Sequence, residues 1–200
     1  MSKSLKRPAR VPAYSVIAPV VLVSALLVST MASGASQKSA LAGIPNVTLS
    51  PYTVQGRTAT QVRHSIDAAK PTDPSDGHRY DGATQARFAY TWHESDHGEC
   101  FARASDITFY ATIRIPSLDE DGAPQDLRQR FARYRASLLD HEKGHVLLAW
   151  KRRGDVLKAI NTSPCDQIPA AVQAVFRSIE AENRAYDRET NHGATTIVPL

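Results

Sequence analysis

The run His141-Glu142-Lys143-Gly144-His145 constrains this chain most, because two imidazoles four residues apart, with a carboxylate beside the first, can share one ion on a helix. Its surroundings predict that helix. Leu127, Phe131, Tyr134, Leu138, His141, His145 and Leu148 recur at steps of three and four, and residues 125–160 contain no proline. The spacing predicts one long helix, or two meeting near the motif, with the histidines pointing inward like the apolar residues. Positions i and i+4 share a face, so both rings can reach one ion at about 2.1 Å while Glu142 is offset to hold a water. The plainer reading, two core histidines capped by carbonyls, suits a lone histidine better than this pair. Gly144 costs about 1 kcal/mol against Ala in a helix interior, which hints at close packing or ligand approach.

Two hundred residues with 42% hydrophobic content suit one globular domain. The excess of 24 basic over 20 acidic residues would suggest an acidic partner such as nucleic acid, but Lys3, Lys6, Arg7 and Arg10 account for all of it. No nucleic-acid motif, nucleotide-binding glycine loop or nucleophilic serine elbow is present. Residues 1–10 form a basic n-region, residues 16–28 an apolar run, and Ser33-Gly34-Ala35 supplies the small residues a signal peptidase reads. Residues 1–35 therefore read as a secretory signal delivering the chain to the periplasm or the exterior. The competing reading is an uncleaved anchor over residues 11–37, which would be the chain's only membrane contact. Residues 36–46 read as a flexible lead and residues 47–200 as the domain.

Only Cys100 and Cys165 exist, both in the exported part. In an oxidising compartment an isolated pair is most simply a disulfide, and closing so long a loop contributes about 4 kcal/mol through the unfolded state. Two thiolate zinc ligands are the alternative, without the Cys-x-x-Cys spacing that would support it.

In chain order, residues 47–54, with Pro51 inside, read as a short edge strand. Thr58 is the N-cap of an amphipathic helix ending near Ala69, and residues 71–82 are turn-rich. Ala86, Phe88, Tyr90 and Trp92 then alternate with polar or small residues as a half-buried strand, and residues 93–99 read as a loop tip whose His93 and His97 are unfit to share an ion. Residues 105–116 form the clearest strand, with Ile107, Phe109, Ala111, Ile113 and Ile115 on one face and the strand around Phe88 as neighbour. Residues 166–186 predict a further helix and 187–193 an irregular segment. The pattern is α+β: a small antiparallel or mixed sheet packed on a long motif-bearing helix and a C-terminal helix.

A catalytic ion of this kind needs a third protein ligand. His192, beside Gly193 and beyond the helix that must pack back on the motif, is the best candidate, with Glu180, Glu182 and Asp187 as lesser ones. Asp187 and Thr190 are candidates to orient the imidazoles. The elongated metzincin pattern is excluded, because Leu148 and Lys151 stand where it needs Gly and His and no methionine follows Met31.

Tyr90-Thr91-Trp92, Cys100, the strand end Ile113-Arg114-Ile115-Pro116, the run from Leu138 to His145, Cys165 and the tail Tyr186-Asp187-Arg188-Glu189-Thr190-Asn191-His192-Gly193 resemble a bacterial family of predicted secreted zinc-dependent proteases. The resemblance runs from about Tyr52 to Ala194. It implies a zincin-like domain with His141, His145 and His192 on Zn2+ and Glu142 as the catalytic carboxylate. Members often continue the tail with Gln-Gly, where this chain has Thr195-Thr196.

The expected chemistry is peptide hydrolysis by a zinc-activated water, with Glu142 as general base and then acid and a peptide or protein as substrate. Tyr186, Arg188 and Tyr134 are available as donors to the transition state, and by analogy an extended substrate would add to the strand at residues 107–115. Two rivals are a cell-wall peptide amidase on the same site and a non-enzymatic envelope module stabilised by zinc.

Overall fold

The computed structural model describes residues 41, 43–73 and 77–200, so the expected signal or anchor and most of the flexible lead lie outside the described residues. The described elements run β1 (Val47–Val54), α1 (Ala59–Ala69), β2 (Ala83–Tyr90), β3 (His93–Glu94), β4 (Cys100–Phe101), β5 (Ile107–Leu118), α2 (Gln125–Lys151), α3 (Arg153–Thr162) and α4 (Ile168–Thr190). The fold is α+β, with a small mixed sheet against several helices.

β5 is rich in β-branched and aromatic residues and buries its alternate positions Ile107, Phe109, Ala111, Ile113 and Ile115. It is the central strand. β1 pairs parallel to it on one side and β2 antiparallel on the other. β1 thus takes the edge that Pro51 predicts, and Phe88 stands opposite Phe109 as expected. The expectation that a substrate adds to residues 107–115 does not survive this order, because both ladders of β5 are taken. β2 supplies the free edge beside the motif helix. Its register sets Thr84, Ala86, Phe88 and Tyr90 on the same face as Ile113, Ala111, Phe109 and Ile107.

α2 lies beneath β5 and β2. Its buried line runs Leu127, Phe131, Tyr134, Leu138 and then Glu142, Val146 and Ala149, rather than through His145 and Leu148, which are half-buried. The stripe turns at the motif. Glu142 therefore faces the sheet, and His145 faces sideways toward α4. The long helical stretch is interrupted at Arg152, whose ψ of 1° starts α3. At α1, the Thr58 hydroxyl accepts from the Gln61 amide at 3.2 Å, the predicted cap.

A second core joins α3 and the start of α4 to the sheet through Ala102, Ile107, Val156, Ile160, Ile168 and Val172. The disulfide Cys100–Cys165, with Cα atoms 5.4 Å apart, fastens β4 to the turn before α4. Phe88, Val175 and Phe176 touch both cores. α4 does not stop at residue 186 as expected. It continues to Thr190, so Asp187 is helical, one turn beyond Asn183. Among the described residues no helix is long and apolar enough to cross a membrane.

Candidate metal centre

The motif helix and α4 bring His141, His145 and Asp187 together, with one potential ligand atom from each lying within 4.8 Å of the others. Asp187 Oδ1 is 3.1 Å from Nε2 of His145 and 3.4 Å from Nε2 of His141. Tetrahedral ligands at bonds of about 2.1 Å stand about 3.4 Å apart, so both distances to Asp187 suit one shared small divalent ion. On its far side, His145 donates Nδ1–H to Asn183 Oδ1 at 3.0 Å, which turns Nε2 toward Asp187. Nδ1 of His141 is buried without a hydrogen-bond partner, and this ring is oriented by packing instead. Tyr186 stacks on it with centroids 5.0 Å apart and planes 14° from parallel, and it meets His145 edge-on.

The electrostatics follow from that cluster. Burial works against the Asp187 carboxylate, but hydrogen bonds from both imidazoles outweigh it and hold the group well below the usual carboxylate range. Burial likewise opposes charge on His145, and its bonds to Asp187 and Asn183 prevail, raising its proton affinity.

Glu142 is only 4% exposed. Burial raises its proton affinity, opposed by a 2.7 Å hydrogen bond that the Thr84 hydroxyl donates to Oε2 and by the two histidines. Its other oxygen faces Gly82, where a Cβ would come within 2.9 Å of the carboxyl carbon and closer still to Oε1. Gly82 therefore makes room for this carboxylate. The turn carrying it is latched by Asp81, whose carboxylate accepts from Tyr134 at 2.6 Å and from two Arg63 nitrogens at 2.6 Å each, while its carbonyl accepts from Tyr52 at 2.7 Å.

Several expected residues stand elsewhere. His192 is outside the group: α4 ends in left-handed Asn191 and His192, and the His192 ring stacks on Tyr80 at 4.7 Å. Asp187 is brought to the two histidines in its stead, because the extra turn of α4 places it on their side. The Thr190 hydroxyl donates to the Tyr186 carbonyl at 2.8 Å and accepts from the Gly193 amide at 3.3 Å, closing the helix end without touching an imidazole. The Tyr186 phenol points at the His141 carbonyl, 3.4 Å away, and presses on Gly144, where a Cβ would lie 2.6 Å from its Cζ. That contact accounts for the glycine inside the motif. Glu182 pairs with Arg152, Glu180 is exposed, and His93 pairs with Asp106 on the hairpin remote in the fold. Thr84, Gly82, Asp81 and Asn183 had no sequence signal. Each acts across 38 or more positions or through the turn beside β2.

A continuous cleft of about 1510 Å³ opens over the group, walled by β2 and α4 and extending past Tyr80, His192, Ile197 and Leu200. The fold and site define an α+β domain with a two-histidine, one-carboxylate group that could hold a metal, next to a buried glutamate in an open cleft. The chain belongs to a family described as bacterial proteins of unknown function, DUF922, whose model matches residues 49–193. No curated protein and no solved structure matches it.

Proposed function

We propose that this protein is an exported zinc-dependent peptidase with His141, His145 and Asp187 as metal ligands and Glu142 as the proton-transferring carboxylate. The observation that carries this is the convergence of three donors beside a buried glutamate, both histidines and the glutamate from one i, i+4 motif and Asp187 from α4. Two imidazoles and a carboxylate oxygen form a donor set that suits zinc, and bound zinc supplies Lewis acidity toward a water and a substrate carbonyl. Three protein donors among the described residues leave a position for substrate, which favours a catalytic over a structural role. The disulfide fits an oxidising compartment outside the cytoplasm.

This chain's residues divide the remaining work. Glu142, short of water and with its proton affinity raised, takes a proton from the attacking water and returns it to the leaving amine. Thr84 and Gly82 fix its carboxylate, and Asn183 and Tyr186 fix the two rings. By analogy with other strand-adding peptidases, the free edge of β2 receives the substrate backbone.

Metal content and peptide hydrolysis test the reading together. The expected result is about one zinc per chain in the wild type and in Glu142→Gln and His192→Ala, with zinc lost or weakened at least tenfold in Asp187→Ala. Glu142→Gln should abolish cleavage of a peptide library while keeping its zinc. Zinc retained without Asp187 but lost without His192 would move the third ligand to His192. Full cleavage by the Glu142→Gln protein would refute the mechanism.

A further inference from the structure

We infer that the cleft between β2 and α4 holds a side-chain pocket, centred on Ala86, that selects a bulky apolar residue of the substrate next to the bond cleaved. This rests on the peptidase reading above. Along β2, the three residues facing α2 meet different surroundings: Thr84 reaches Glu142, Phe88 stacks on Phe176 of α4 at 5.9 Å and 8°, and Ala86 between them is exposed although it faces inward. Along α4, Asn183 reaches His145 and Phe176 reaches Phe88, and Ile179, between them on the helix, lines the cleft that Ala86 also lines. Beneath, Ala149 lies one turn beyond His145 on α2.

All these side chains line the same cleft. Ala86, its ladder partner Ala111 and Ala149 all line it as small residues, and the Phe88–Phe176 stack closes one end. Thr84 and Phe88 are four residues apart, about 13 Å along a strand, which leaves room for one large side chain between them. The walls at Phe88, Phe176 and Ile179 are apolar, so the occupant they complement is apolar too. A backbone running along the β2 edge points alternate side chains inward, and the first such position past the metal group falls over Ala86. Ala86 is therefore a specificity-determining position, and a protein segment with a Leu- or Phe-like residue there is the favoured substrate.

The test uses the zinc-loaded protein and two hydroxamate dipeptide mimics that differ only in the side chain beside the hydroxamate, benzyl in one and hydrogen in the other. Calorimetry should show the benzyl compound binding roughly ten- to hundredfold more tightly to the wild type. In Ala86→Trp, which fills the hollow from an exposed strand position, that ratio should fall toward one with zinc content and affinity for the hydrogen compound preserved. Ala89→Trp, exposed on the opposite face of β2 and outside the cleft lining, should keep the wild-type ratio. A ratio near one in the wild type, or a ratio unchanged by Ala86→Trp, overturns the pocket while zinc binding still stands. Absence of zinc binding overturns the pocket together with the peptidase reading on which it rests.

Discussion

At the scale of single residues, two glycines explain how ring and carboxylate come so close. Gly144 lies under the Tyr186 phenol and Gly82 under the Glu142 carboxylate, so each replaces a side chain with the space a functional group needs. Gly144→Ala is a clean test, because helix propensity and packing oppose each other there. Propensity alone would stabilise by about 1 kcal/mol, whereas a Cβ driven into a rigid phenol ring costs about 1–3 kcal/mol. We predict net destabilisation in urea unfolding, with weaker zinc binding as the displaced Tyr186 frees the His141 ring; a more stable Gly144→Ala protein with unchanged zinc affinity would contradict this packing. The unusual cost of Gly144 was legible in the sequence, and so were His141, Glu142 and His145, since their chemistry depends on helical spacing alone. Thr84 and Asn183 were not legible: a threonine early in a strand and an asparagine on a mixed-charge helix carry no mark of the tertiary contact that gives them a role.

At the scale of elements, the decisive difference is one extra turn of α4. The segment after residue 186 reads as irregular, and a helix ending there would have made His192 the natural third donor. Continuation to Thr190 keeps Asp187 in helical register with Asn183, and the left-handed residues that follow carry His192 onto Tyr80 instead. Helix ends are set by local capping, here the Thr190 hydroxyl, which periodicity does not register. The position of β5 was hidden for a related reason, since inward-outward alternation is the same for a central strand and an edge one. A second element-level feature is the Asp81 latch joining α1, β1 and α2. Burial first, and then the Asp81 charge, push the phenols of Tyr52 and Tyr134 well above their ordinary 10.0. Because the folded values are raised, their contribution is complete below pH 10 and is lost as pH rises above it, where the unfolded chain releases protons the fold retains. Tyr134→Phe should lower stability at neutral pH by about 1.5–3 kcal/mol and make the decline above pH 10 shallower. Thermal melts across that range check both, and an unchanged alkaline slope would remove Tyr134 from the account.

At the scale of the molecule, the candidate metal group is assembled from two cores. His141 and His145 belong to the helix under the sheet, while Asp187 arrives on a helix whose other end is rooted in the second core with Ile168 and Val172. The disulfide stands at that root. Replacing Cys100 and Cys165 with serine should cost about 4 kcal/mol, seen as a lower denaturation midpoint, and reductant should reproduce the shift in the wild type but not in the variant. The pairing was readable from two cysteines in a chain expected to be exported; its place at the base of the Asp187 helix was not, because it depends on how the two cores meet.

The same bond has a consequence for survival among proteases. With its ends 65 positions apart in sequence, the covalent ring contains the whole of α2 and α3. A single backbone cut at the joint near Arg152 would separate the strand of chain bearing both histidines from the one bearing Asp187, yet the halves would remain one molecule. A nicked form would migrate as a single species until reductant released two, and His141, His145 and Asp187 would never leave each other's neighbourhood.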